Sequence, residues 1–108
     1  MRIARVIGTV TLNRRLSDLK PGRLLIAEAL DDAALEGLGR QARRARPMPE
    51  SLVVFDELGA GLGQLIAVSE GREASMPFYP QRVPIDAYCA AILDAVELTL
   101  PAGSGAAA

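Results

Sequence analysis

The chain has 108 residues, enough for one small domain but not for two. Half of its residues are hydrophobic and its formal net charge is −1, so composition gives no general reason to expect binding to nucleic acid or to an anionic membrane. It has no histidine and one cysteine, which excludes histidine-based catalytic triads and an intramolecular disulfide.

The sequence also lacks the features of a membrane or exported protein. No apolar run approaches the ~20 residues that a transmembrane helix requires. The N-terminal stretch is interrupted by Arg5 and lacks the continuous apolar core of a signal peptide. We therefore expect a cytoplasmic protein that does not bind a membrane.

The first predicted elements are two strands. Over residues 3–12, apolar or small residues alternate with polar ones, which predicts a half-buried strand. Gly8 in its middle predicts a bend or bulge, a feature of small curled barrels. The turn signal Pro21-Gly22 precedes an apolar run over residues 23–30, where we expect the second strand.

Residues 31–50 predict a long surface connection. Asp31 or Asp32 has the chemistry of an N-cap for a short helix with Glu36 in its first part. A local basic cluster follows, formed by Arg40, Arg43, Arg44 and Arg46. A solvated loop is the favoured interpretation of this basic cluster, and an anion or nucleic-acid site is the alternative.

Strands three and four are predicted over residues 52–55 and 64–69, on either side of the glycine loop, Asp56 to Gly63. This loop lacks the Lys-Ser/Thr of a P-loop and the spacing of a dinucleotide fingerprint. Its glycines permit a positive φ or a close approach of backbones. A tight strand connection is therefore favoured over a phosphate cradle. The adjacent carboxylates of Asp56-Glu57 are interpreted as solvated turn residues rather than as a metal or acid–base site.

The last third of the chain is less regular. Residues 72–76 predict a short helical turn ended by Pro77, and residues 78–84 a loop. Residues 85–98 fit either a helix or a strand, and the local spacing leans slightly towards a helix with Asp86 as its N-cap. We expect residues 1–98 to form a single domain and residues 99–108 a flexible tail.

The sequence offers little chemistry for catalysis. Cys89 lies beside two alanines and is expected to be a buried small hydrophobe, because no histidine exists to activate it. We predict no catalytic residue, no metal site and no cofactor, and rank an enzyme lowest among the candidate functions.

Four stretches together resemble the pentameric vertex proteins of bacterial microcompartments, a family that includes the carboxysome vertex protein and its ethanolamine-utilisation counterpart. They cover residues 4–10, 22–31, 53–71 and 83–96. The most specific part is the unit in which two strands flank Asp-x-x-Gly-Ala-Gly-x-Gly. The chain departs from the family pattern at Gln64, where the family often has an acidic residue, in the longer and more basic connection 32–50, and in the extended segment 75–82.

The resemblance implies a mainly β fold, a small five-stranded barrel of the oligonucleotide/oligosaccharide-binding (OB) type with short helical turns, which assembles as a cyclic homopentamer. It implies a structural role: pentamers would cap the five-fold vertices of a polyhedral shell beside hexameric or trimeric shell proteins. It also implies a strand over residues 91–98, preceded by a helical turn over residues 86–89, and we prefer this to the local helix prediction. The alternative function is an OB-type barrel that binds single-stranded nucleic acid or another anionic partner.

The resemblance also suggests where contacts lie. The candidates for a subunit interface or pore loop are Gly59, Ala60, Gly61, Leu62, Gly63 and Gln64. The basic cluster is the candidate for contact with an acidic neighbouring shell protein or with cargo.

Overall fold

The computed structural model describes residues 1–37 and 48–99, and its described residues form a closed five-stranded barrel. The strands are β1 (Arg2–Val10), β2 (Arg23–Ala29), β3 (Ser51–Asp56), β4 (Leu65–Glu70) and β5 (Ala87–Leu93), in the spatial order β1-β2-β3-β5-β4. Neighbouring strands are antiparallel, except that β3 and β5 run parallel and pair at Phe55 and Tyr88. The predicted small five-stranded barrel is confirmed.

β1 joins two walls of the barrel because it pairs with β2 along one edge and with β4 along the other. Its register with β2 shifts between Val6 and Gly8, which confirms the bulge predicted at Gly8. A bulge bends a strand and increases its twist, so β1 can follow both neighbours. Ala4 and Val6 are buried, as the alternating pattern predicts, although the strand ends at Val10 rather than at residue 12.

Small and branched apolar side chains fill the barrel interior, which we call the inner core. Only such residues fit, because the interior of a barrel with few strands is narrow. The buried members of the inner core are Ala4, Val6, Leu25, Ala27, Val54, Ala60, Ile66, Val68, Ala87 and Cys89.

A second buried group, the aromatic cluster, lies on the outer face of β3. It consists of Phe55, Ala74, Phe78 and Ile85. Helix α2 (Arg72–Ser75) and the 3₁₀ turn Met76–Phe78 supply Ala74 and Phe78. The Phe78 ring meets those of Phe55 and Tyr88 edge to face, with centroid distances of 5.7 and 5.6 Å. β3 is thus covered on both faces near its end, at Val54 and Phe55, whereas Val53 on the outer face is 54% exposed.

Two short helices lie where the sequence predicts them. Asp31 caps helix α1 (Asp32–Glu36), since its side chain accepts a hydrogen bond from the Ala34 amide at 2.9 Å. α2 falls within the helical turn predicted over residues 72–76. Pro77 does not end the helical segment, however, because it lies near the start of the 3₁₀ turn, where a proline needs no amide partner.

The helix prediction that local spacing favours over residues 85–98 is wrong. β5 occupies part of this segment and pairs with β4 from Ala87 to Leu93. The helical turn expected over residues 86–89 is also wrong, because Ala87 and Cys89 are extended and fill the inner core. The strand implied by the resemblance is present but begins earlier and ends at Leu93 instead of residue 98. Burial against β4 outweighs the local helical preference.

The basic cluster, Arg40 to Arg46, and residues 100–108 of the predicted tail lie outside the described residues. In the part of the chain that the structure describes, no helix is long and apolar enough to cross a membrane.

Candidate functional site

The glycine loop folds around the side chain of its first residue. The Asp56 carboxylate is buried, with 1% of the residue exposed. It accepts hydrogen bonds from the backbone amides of Leu58, Gly59 and Ala60 at 2.9, 3.0 and 2.9 Å. The interpretation of Asp56 as a solvated turn residue is therefore wrong, since its carboxylate is the internal acceptor that shapes the loop.

Arg23 ties this turn to the neighbouring strand. Arg23 and Asp56 are register partners in the β2–β3 ladder. The Arg23 Nη1 atom donates to the Ala60 carbonyl at 2.9 Å and lies 3.6 Å from Asp56 Oδ2. A buried carboxylate needs hydrogen bonds or an opposite charge, and Asp56 has both.

The second half of the glycine loop is joined to β1. The Gly63 amide donates to the Val6 carbonyl at 2.8 Å, and the Val6 amide donates to the Gln64 carbonyl at 3.0 Å. The Gly61 amide donates to the Gln64 side-chain oxygen, Oε1, at 2.6 Å. An acidic residue at position 64 could also accept that bond, so Gln64 keeps this acceptor without the charge.

Two of the three loop glycines are required by the backbone. Gly59 and Gly63 have φ angles of +91° and +82°, which other residues adopt only with strain. Gly61 is different, because its φ is not in this region and an added Cβ would meet only Gln64 Oε1, at 3.7 Å. Nothing in the single subunit therefore requires glycine at position 61.

The loop presents apolar side chains to its surroundings. Ala60 points into the inner core and is fully buried, whereas Leu58 and Leu62 are 53% and 72% exposed. The loop is thus fixed from inside by Asp56 and Ala60, and it carries two leucines on its outer side. Such a surface suits contact with another protein chain.

Tyr88 and Cys89 lie close to this loop on β5. The Tyr88 hydroxyl donates to Glu57 Oε1 at 3.1 Å, and burial together with this carboxylate raises the pKa of Tyr88. Burial, with the Asp56 carboxylate nearby, raises the pKa of Cys89 to about 11. The thiol is therefore protonated at neutral pH and a poor nucleophile, and the prediction that Cys89 is buried is confirmed.

A separate ionic network connects three strand ends. The Arg2 guanidinium donates to both carboxylate oxygens of Glu50, at 2.9 and 2.7 Å, and also binds Glu70. These bonds, first those with Glu50, raise the pKa of Arg2, and Arg2 lowers the pKa of Glu50. The network joins the start of β1 to the residue before β3 and to the end of β4, so its role is structural.

Other kinds of site find little support among the described residues. No group of three or more cysteine, aspartate or glutamate side chains in residues 1–37 and 48–99 is arranged to hold a metal ion. Phe55 and Phe78 are buried, so only Tyr79, of the four aromatic residues in the sequence, is largely exposed. Base stacking, on which single-strand binding depends, would have little surface here.

Sequence reasoning placed the loop but missed what holds it together. An aspartate followed by glycines is typical of a turn in which the carboxylate binds backbone amides, and this signal could have identified the role of Asp56. The bond from Arg23 to Ala60 has no comparable signal, because it depends on the register of β2 with β3.

Comparison with known proteins gives consistent results. The family described as "Ethanolamine utilisation protein EutN/carboxysome" matches residues 1–94. The carboxysome shell vertex protein CcmL of Synechococcus elongatus is 31% identical over 98 residues, which cover 91% of this chain and 88% of that protein.

Solved structures agree with the sequence comparison. The pentameric microcompartment shell protein GrpN from Rhodospirillum rubrum has a TM-score of 0.71 at 29% identity, covering 92% of this chain and 100% of that chain. CcmL from Gloeobacter violaceus has a TM-score of 0.73 at 28% identity, covering 91% of this chain and 90% of that chain.

Proposed function

This chain belongs to the EutN/carboxysome family, and on that premise we propose that it is a structural shell protein whose pentamers cap the five-fold vertices of a bacterial microcompartment. The observation that carries the proposal is the family match over nearly the whole barrel, together with relatives named as shell vertex proteins. Its location is the shell of the compartment, in the cytoplasm.

The single subunit has the apolar surface that assembly requires. Ile7, Leu58 and Leu62 are apolar side chains left exposed on the barrel and the glycine loop. A cyclic ring joins two different patches of each subunit, so apolar residues in separate places are expected. A formal net charge of −1 also lets identical subunits approach without strong repulsion.

We place the glycine loop at a subunit contact or at the axis of the ring. The members of this proposed contact are Gly59, Ala60, Gly61, Leu62, Gly63 and Gln64. Two observations support it: three loop amides are hydrogen-bonded to Asp56 from inside, and Gly61 is a glycine that the subunit itself does not require. A neighbouring chain packed against Gly61 would supply the reason.

The role proposed is structural and not enzymatic. The relatives are named as shell proteins, and Cys89 is buried with a raised pKa. The barrel spans residues 1–98 as one domain in this proposal, with residues 99–108 as a tail. Single-stranded nucleic acid is not the favoured partner, since two of the four aromatic residues are buried inside the molecule.

The other proposed partners are hexameric or trimeric shell proteins of the same compartment. The basic cluster, Arg40, Arg43, Arg44 and Arg46, is the proposed contact with an acidic neighbour or cargo. Deleting residues 38–47 should then reduce incorporation into shells while pentamers still form. Unchanged incorporation would remove this part of the proposal.

Two experiments test the main proposal. Native mass spectrometry should show five subunits, and a stable monomer at micromolar concentration would contradict it. Co-expression with hexameric shell proteins, followed by electron microscopy, should give closed polyhedral shells only when this chain is present. Closed shells in its absence would rule out a vertex role.

The loop contact has its own test. Gly61→Leu should leave the subunit folded, because the space around Gly61 is open in the single chain, yet it should impair formation of the ring. Gln81→Leu places the same leucine side chain in an exposed loop elsewhere and should leave assembly intact. Normal pentamers of Gly61→Leu would remove the loop from the interface.

A further inference from the structure

A surface pocket of about 520 Å³ lies where residues 11–22 cross from β1 to β2. Three cationic side chains line it, those of Arg15, Lys20 and Arg23, and no carboxylate does. The shell role gives no reason for this pocket. Its volume falls within the roughly 300–1,000 Å³ of small-molecule sites.

The charge of the pocket comes mainly from its loop. Arg23 already shares its charge with Asp56 and binds the Ala60 carbonyl. Arg15 and Lys20 add two further positive charges to its lining, and the Lys20 ammonium lies 5.1 Å from the centre of the Phe78 ring. The one acidic residue of the loop, Asp18, lines a neighbouring depression instead. The field inside the pocket therefore favours an anion.

The pocket also has a fixed apolar side. Its apolar lining includes Leu12, which is 43% exposed, together with Leu19 and Leu24, whereas the Phe55 ring borders it but is only 2% exposed. At Gly22, an added Cβ would lie 2.4 Å from the Phe55 ring, so glycine is what lets the loop backbone rest on that ring. Thr9 and Thr11 add hydroxyl groups that can donate to an anion.

We propose that this pocket binds a small organic anion. Its phosphate or carboxylate group would be held by Arg15 and Lys20, and its apolar body would lie against Leu12 and Leu24. Arginine suits this role because its planar donors match the oxygens of phosphate and carboxylate. The proposal concerns one subunit and does not depend on the shell role.

The assembled protein should be titrated with phenyl phosphate by isothermal calorimetry, with inorganic phosphate, benzoate and phenol as separate arms. Phenyl phosphate should bind more tightly than inorganic phosphate or phenol, since only it satisfies both sides of the pocket. Tighter binding of benzoate than of phenyl phosphate would identify a carboxylate as the preferred group. Absence of binding by both phenyl phosphate and benzoate at millimolar concentration would overturn the proposal.

Variants locate the site. The double variant Arg15→Gln/Lys20→Gln should weaken binding of phenyl phosphate by about tenfold or more, as expected when a charged hydrogen-bonding group is lost. Arg14→Gln is the matched control, because Arg14 is exposed on the same loop but does not line the pocket. Equal loss in Arg14→Gln, or no loss in the double variant, would show that attraction is not specific to this pocket. Circular dichroism and native mass establish that each variant is folded and assembled.

Discussion

Two adjacent residues of β3 are buried on its opposite faces by different means. Val54 points into the inner core, whereas Phe55, the next residue, joins the aromatic cluster outside the barrel. The inner core is built from alanine and small or branched residues supplied by all five strands. The aromatic cluster has few members, and a short helical segment supplies Phe78. The width of the barrel limits the size of the side chains on the inner face. Burial on the outer face depends instead on how well the connecting segment covers it.

Because one ring makes most of the aromatic cluster's contacts, Phe55 should contribute more to stability than a valine of the inner core does. Phe55→Ala should lower the free energy of unfolding by about 3–5 kcal/mol, as for large aromatic deletions in cores. It removes ring contacts to both Phe78 and Tyr88. Urea denaturation at one fixed protein concentration measures the change, since assembly is linked to stability. Phe55→Leu should recover part of the loss, and a loss below about 1 kcal/mol in Phe55→Ala would show that the aromatic cluster is dispensable.

The last residue of the same strand, Asp56, is buried through hydrogen bonds rather than through apolar contacts. Asp56→Ala should cost about 3 kcal/mol, because it leaves the Leu58, Gly59 and Ala60 amides without their acceptor. Asp56→Asn keeps an acceptor and should cost less. Glu57→Ala is the control: it removes only an exposed hydrogen bond from the Tyr88 hydroxyl and should change stability by about 0.5 kcal/mol or less. Equal costs at positions 56 and 57 would show that the buried carboxylate does not organise the loop.

Two adjacent valines compare burial directly. Val54→Ala should cost about 2 kcal/mol, since Val54 is fully buried in the inner core. Val53→Ala makes the same chemical change on the outer face, where the side chain is 54% exposed, and should cost about 0.5 kcal/mol or less. Thermal unfolding of the two variants side by side gives the difference. Equal losses would mean that Val53 is covered in the assembled protein.

The inner core was the more predictable of the two regions. Alternation along β1 identified Ala4 and Val6 as buried, because a strand places every second side chain on one face. The apolar run of β3 predicted a strand without showing what covers each face. Phe78 could not be assigned to the aromatic cluster, since its contact with Phe55 joins residues that are distant in sequence.

β5 shows why local patterns fail in such a small barrel. Cys89, Ile92 and Leu93 have helical spacing as well as strand character. The irregular register between β4 and β5, near Ala67 and Val68, shifts the alternation that would have identified a strand. The family resemblance correctly predicted a strand here, because the fold it implies includes the neighbouring strand. It did not predict where β5 begins and ends. The candidate contacts in the glycine loop likewise depend on a neighbouring subunit, which no pattern within one chain describes.

The smallest expected effect on stability comes from a titratable group on β5, the buried thiol of Cys89. The folded-state pKa of Cys89 is about 11, above the roughly 8.5 of an unfolded thiol. The unfolded chain loses this proton first, so the contribution of Cys89 to stability is fully present below about pH 8.5 and declines as pH rises towards 11. At pH 8 the folded protein should react with a disulfide reagent at least about a hundredfold more slowly than the urea-unfolded chain, because its thiolate fraction is far lower.

Cys89→Ala supplies the control for the alkaline effect. The unfolding free energies of the two proteins should differ by a constant amount up to about pH 8.5, and that difference should then move in favour of the alanine variant. Tyr88, whose pKa is also raised, remains in both proteins, so its contribution cancels in the comparison. Rapid reaction of folded Cys89 at pH 8 would contradict its place in the inner core and would show that the barrel opens at β5 more readily than its pairing with β4 implies.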